Sequence, residues 1–155
     1  MDFSGFKYAT FDEKGRVVLP AEFKNAMGGK IIDGQMAVEL DVYEKCLNIY
    51  PMPEWEKRVA LFKTKLNVND PDDSWMLDLL FQSFKLVSVA DSGRMNFPNE
   101  FLSDMNITKD VVFTGSGTRI RLWDVGEYNK YKARRMSDGM DFRTRFSQIF
   151  GNAEG

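Results

Sequence analysis

The sequence predicts an α+β fold, mainly β, in which one supersecondary unit is used twice around a shared core. Three observations carry that expectation. Residues 11–23 align without a gap on residues 89–101, with Gly15, Arg16, Pro20, Glu22 and Phe23 answered by Gly93, Arg94, Pro98, Glu100 and Phe101. The likeness resumes downstream, where 47–50 followed by Glu54 and Trp55 corresponds to 120–123 followed by Glu127 and Tyr128. A chain of 155 residues suits one compact domain or two small halves sharing a core, and is too short for two independent domains of ordinary size. Units this small close a core only by packing on each other.

Each unit opens on a tight turn, where Gly15 and Gly93 supply a backbone conformation that a Cβ would obstruct, with strands on either side. Residues 16–19 read as a strand, with apolar Val17, Val18 and Leu19 of which the valines are β-branched; Pro20 ends that strand and opens a short helix over 21–24, and 98–102 repeat the arrangement. Residues 36–40, 46–50, 111–114 and 119–123 read as further short strands joined by turn-length loops. Gly115, Ser116 and Gly117 lack the following lysine and helix of a phosphate loop and read as a hairpin turn.

A helix follows the final strand of each unit. In the first, Pro53 sits at a permitted first-turn position, and Trp55, Val59, Phe62 and Leu66 fall on one face that should be buried. Residues 70–73 read as a loop and helix start, because acidic side chains favour the N-terminus of a following helix, here 74–86. Trp75, Met76, Leu77, Leu79, Leu80, Phe81 and Phe84 leave that helix little polar face. It is therefore expected to be buried on nearly all sides or to pack against another subunit, with subunit packing favoured. In the tail from Asp141, Phe142, Phe146, Ile149 and Phe150 recur at helical spacing up to Gly151, which makes a further core or interface contact. The expected divisions are a first half at 5–52, linking helices at 53–86, a second half at 87–130 and a helical tail at 131–155.

Composition excludes much chemistry. Hydrophobic residues at 43% and charged residues at 28% fit a soluble globular protein and exclude a disordered one. With no histidine, Ser-His-Asp and Cys-His catalysis and imidazole metal sites are ruled out, and a single cysteine, Cys46, cannot build a thiolate zinc cluster or an internal disulfide. No cofactor and no resident metal are expected. Asp70, Asp72 and Asp73 have the hardness a divalent cation prefers, which leaves a metal-dependent enzyme as a third, disfavoured reading. No apolar run approaches the ~18 residues of a membrane span, and the first residues lack the basic and apolar regions of a signal peptide, so a cytoplasmic location is expected. The formal charge of -2 does not advertise a nucleic-acid partner, so any such binding needs local concentrations of basic residues.

Around the repeated turns the chain resembles the MraZ family. The matching residues are 3–5, 12–16, 46–51, Glu54 with Trp55, and Leu122 with Trp123, which span most of the chain. The resemblance implies two AbrB-like (SpoVT-AbrB) swapped-hairpin half-barrels forming one double-psi-like barrel, and assembly of several chains into a homo-oligomeric ring. It further implies a nucleoid-associated transcriptional regulator, not an enzyme, that binds double-stranded DNA at repeated boxes upstream of division and cell-wall genes, including its own. The family's Asp-x-x-x-Arg motif is matched in full by Asp12 and Arg16. In the second half the expected acid falls on Ala90, with Asp91 one residue late, so that turn is held differently or contacts DNA less well.

Physical chemistry supports Lys14, Arg16, Ser92 and Arg94 as the DNA-contacting residues. Glycine permits close backbone approach, cations at a projecting turn reach phosphates, and an arginine fork matches the O6 and N7 acceptors of guanine. Asp12, an acceptor that would repel phosphate, is expected to orient Arg16 or cap the turn's amides; Gly15, Asp91 and Gly93 complete the turn framework. A ring would present many copies of the basic turns on one face and answer the objection from net charge. Lys7 reads as an exposed strand lysine. Residues 127–145 carry a net +3, a pattern more typical of a solvated face or of ion pairs between subunits. The aromatic residues fall at core spacing and not in a stacking platform. The alternative reading is a ring-forming interaction scaffold whose apolar helices matter more than its basic loops.

Overall fold

The computed structural model describes residues 1–139 and 141–151. Along the chain the elements are β1 (Phe6–Thr10), β2 (Arg16–Val18), α1 (Ala21–Ala26), β3 (Gln35–Leu40), β4 (Leu47–Pro51), α2 (Met52–Lys65) and α3 (Pro71–Gln82). They continue with β5 (Phe84–Ser88), β6 (Arg94–Asn96), α4 (Asn99–Asp104), β7 (Asp110–Ser116), β8 (Arg119–Asp124), α5 (Val125–Ser137) and α6 (Phe142–Phe150). Six strands form an antiparallel sheet in the order β1-β7-β8-β4-β3-β5, and β2 pairs with β6 in a separate two-stranded ribbon.

That order is unchanged when β1 is exchanged with β5, β3 with β7 and β4 with β8, so a pseudo-two-fold axis runs between β4 and β8. The halves interleave: β1 pairs with β7, and β5 pairs with β3. Side-chain alternation explains the layering, since successive strand residues face opposite sides of a sheet. Met36, Val38, Leu47, Ile49, Val111, Phe113, Ile120 and Leu122 point to one side and meet Val17 and Met95 of the ribbon and Phe23 and Phe101 of α1 and α4 in a single core. Full burial of each such side chain contributes about 1.5–3 kcal/mol. On the other side, Ala37 and Tyr50 pack under Trp55 of α2, while Val112 and Trp123 pack under Tyr128 and Tyr131 of α5. Cys46 lies on that side, its thiol pushed up to about 12 by burial, and so stays protonated.

The predicted helix over 74–86 is corrected at both ends. It starts at Pro71, with the Asp70 side chain accepting from the Asp73 amide, and stops at Gln82. Phe84 to Ser88 then form β5 along β3, because pairing with an open sheet edge outweighs local apolar spacing. Nor is α3 buried on nearly all sides within the chain: it has no buried residue, and Trp75 is 60% exposed. The tail is helical as its spacing predicts, yet Phe142, Phe146, Ile149 and Phe150 make no core contact and are exposed. Gly151 caps α6. Among the described residues no helix is long and apolar enough to cross a membrane.

Candidate nucleic-acid interface

Both glycine-arginine turns have the same backbone. In the first, the Asp12 amide donates to the Arg16 carbonyl at 2.8 Å and the Gly15 amide to the Asp12 carbonyl at 3.1 Å. In the second, the Ala90 amide donates to the Arg94 carbonyl at 3.0 Å and the Gly93 amide to the Ala90 carbonyl at 2.7 Å. Closure of so short a loop forces the third turn residue into the left-handed region, with φ +76° at Gly15 and +90° at Gly93.

Side chains hold the two turns differently. Asp12 Oδ1 accepts from the Lys14 and Arg16 amides, each at 2.9 Å, and Oδ2 accepts from Arg16 Nε at 2.9 Å. The amide of Arg16, with that residue's guanidinium and the Lys14 amide, keeps the Asp12 carboxyl below its usual range. Asp12 thus both caps the turn and orients Arg16, whose outer fork faces solvent with the side chain 30% exposed. At the second turn Ala90 supplies no carboxylate. Ser92 Oγ accepts from the Arg94 amide at 3.4 Å, the Leu19 amide donates to the Gly93 carbonyl at 2.8 Å, and Lys24 Nζ from α1 donates to the Asp91 carbonyl. Asp91 serves through its backbone; among the described residues its carboxylate accepts no hydrogen bond. The second turn is therefore anchored by groups of the first half, and the position of Lys24 is occupied in the repeat by Leu102.

The ribbon brings both arginines to one surface. Its register sets Arg16 opposite Asn96, Val17 opposite Met95 and Val18 opposite Arg94. Val17 and Met95 point into the core, so Arg16, Val18, Arg94 and Asn96 share the outward face, the arginines being diagonal neighbours with Cβ atoms about 7–8 Å apart. The turns carrying Lys14 and Ser92 sit at the two ends of this ribbon. Arg94 has no ion-pair partner among the described residues. Lys7, on β1, lies 4.0 Å from Glu22. Sequence reading passed over Val18 and Asn96. The signal was present: each alternates with a buried neighbour, Val17 or Met95, and so must share a face with the arginine two positions away. An outward ribbon face with two guanidinium groups, an amide and an apolar spot can bind phosphates and base edges together.

The acidic group at 70–73 has a local role. Asp70 caps α3, and Asp73 Oδ2 accepts from the Asn67 amide at 2.9 Å. Among the described residues no cluster of three or more candidate ligands could hold a metal ion.

Comparison with known proteins matches this chain to the model of the family described as "MraZ protein, putative antitoxin-like", over residues 3–77 and 84–149. A relative from Nitratidesulfovibrio vulgaris, named Transcriptional regulator MraZ, is 30% identical over 129 residues, covering 83% of this chain and 85% of its own. Relatives of the same name from Burkholderia cenocepacia and Nitrosococcus oceani are 29% and 27% identical, covering 89% and 92% of this chain and 93% and 95% of theirs.

Proposed function

The chain belongs to the MraZ family, and from that membership we propose that it is a transcriptional regulator binding double-stranded DNA through the outward face of the β2–β6 ribbon. The observation that carries this reading is the register that sets Arg16 and Arg94, from turns far apart in sequence, on one exposed surface. A two-stranded ribbon fits the major groove, where Arg16 and Arg94 read guanine edges, Lys14 and Ser92 take phosphates, and Asp12, Gly15, Asp91 and Gly93 hold the turns. The pseudo-two-fold relation of the arginines suits a site with two similar half-elements. Relatives named as transcriptional regulators support a regulatory, non-catalytic role.

The finer reading is a cytoplasmic, nucleoid-associated homo-oligomer, a ring, that engages repeated promoter boxes upstream of division and cell-wall genes, including its own. Each chain carries a formal charge of -2, so several copies of the ribbon on one face are needed for a strong local field. The divisions at 5–52, 53–86, 87–130 and 131–155 belong to this reading as two DNA-facing halves, a linker and a tail. The exposed apolar helices give the scaffold alternative its support, and one experiment separates the two. Fluorescence anisotropy on the DNA upstream of its own gene is expected to show at least about a fivefold loss for Arg16→Ala and for Arg94→Ala, since a bidentate base contact is worth about 1–3 kcal/mol. For Lys14→Ala, which removes a cation from a phosphate, the slope of log affinity against log salt should flatten by about 0.9. Unchanged affinity in an Arg16→Ala variant that still assembles would transfer support to the scaffold.

A further inference from the structure

On the sheet face away from the ribbon, α2 and α5 leave a cleft of about 690 Å³ beside β8 and the loop joining β3 to β4. Its charges do not cancel. Glu39 is held bidentately by Arg58 at 2.8 and 2.9 Å, and Glu44 is paired with Arg134. Asp41 remains, 3.3 Å from Arg121 and 3.8 Å from Arg119. Its oxygens already accept from Asn48 at 2.9 Å and from the Tyr43 and Glu44 amides at 3.1 and 2.7 Å. Arg135 also lines the cleft and has no ion-pair partner among the described residues. Three guanidinium groups thus face one fully engaged carboxylate. Arg121 is the most buried of the three: its Nη2 donates to Cys46 Sγ at 3.1 Å and its Nε is shielded from the cleft, so Arg119 and Arg135 present the accessible forks.

The internal repeat does not require cations here, because Arg119 and Arg121 of β8 correspond to Cys46 and Asn48 of β4. They sit in one half only, with Arg121 over the ring of Trp123, which stacks on Tyr131. We infer that this cleft binds a small anion carrying a diphosphate group. Guanidinium forks match phosphate oxygens, the volume falls in the range of small-molecule sites, and the local excess of two positive charges stands in a chain that is negative overall. Tyr43, 89% exposed at the mouth, offers a ring to a ligand with a flat base, so free pyrophosphate and a nucleotide are the two sources of this chemistry.

The test is calorimetric titration of the full chain with inorganic pyrophosphate and, separately, with adenosine diphosphate. Saturable, stoichiometric uptake is expected, tighter for the nucleotide if a base sits on Tyr43 and equal if the phosphates alone are recognised. An Arg119→Ala, Arg135→Ala variant should bind at least about tenfold more weakly, while Arg16→Ala, Arg94→Ala should bind as the parent does. If the double cleft variant fails to fold by circular dichroism, Arg135→Ala alone takes its place, since it breaks no ion pair. No uptake of either probe, or uptake undiminished in the cleft variant, overturns the inference. Uptake abolished in the ribbon variant and kept in the cleft variant overturns it too, by assigning the anion to the β2–β6 ribbon. This ribbon arm keeps the cleft proposal separate from the proposal for duplex DNA.

Discussion

Gly15 and Gly93 occupy equivalent positions, yet their surroundings make different demands. A Cβ at Gly15 would meet nothing within 4 Å, whereas one at Gly93 would lie 2.9 Å from the Leu19 carbonyl oxygen. Both have positive φ, so alanine strains either turn, and at Gly93 the clash with backbone adds to that strain. Gly15→Ala is expected to cost about 1 kcal/mol and Gly93→Ala about 2–3 kcal/mol, read from urea denaturation midpoints. Equal costs would contradict the packing of the second turn against the first half. The need for glycine at both sites was legible, because a turn this short imposes its own backbone angles. The unequal demand was not, since Leu19 and Lys24 reach the second turn only once the halves have interleaved.

At the scale of elements, one carboxylate adds a side-chain tie between the loop of the β3–β4 hairpin and β8 to the backbone pairing of β4 with β8. Burial raises the Asp41 pKa, but the hydrogen bonds from Asn48 and the Glu44 amide, with the charge of Arg121, outweigh it and leave the group below its ordinary 3.8. A folded pKa below the unfolded one means stabilisation that is complete above about pH 4 and lost as pH falls through the folded value. Asp41→Asn is therefore expected to cost about 2–3 kcal/mol at neutral pH, with the difference from the parent narrowing in acid. Denaturation at a series of pH values checks this, and a difference independent of pH would count against it. Elements were legible where local chemistry decides them: the strands after each turn and the α2 face of Trp55, Val59 and Phe62, although Leu66, expected on that face, lies just past the end of the helix in extended backbone. Residues 84–86, the start of β5, read as the end of a helix because their apolar spacing suits both structures, and only the free edge of β3 selects the strand.

The molecule as a whole leaves apolar surface uncovered. Trp75, Met76 and Leu79 on α3, Phe142 and Ile149 on α6, and Phe6 and Tyr8 on the edge strand β1 are all exposed in the single chain. Patches of this kind mark surfaces that associate, and an uncovered edge strand invites pairing. The protein is expected to sediment as an oligomer at micromolar concentration, and Trp75→Glu with Phe142→Glu to shift it toward smaller species while circular dichroism stays native. A parent that remains monomeric would remove the multivalent part of the DNA-binding proposal. The cleft of Arg119, Arg121 and Arg135 also exists only at this scale, because the β3–β4 loop, β8 and two helices from different halves build it.

The sequence by itself determined the repeat, the two glycine-arginine turns, the pairing of Asp12 with Arg16 and the helical faces, since each depends on residues within a few positions of one another. Tertiary structure alone decided that β1 joins β7 and β5 joins β3, that Arg16 and Arg94 share a face, and that a cationic cleft opens on the opposite side. The physical reason is that strand partners are selected by closing a common core. That burial involves residues of both halves at once, and no local pattern encodes which distant strand will complete it.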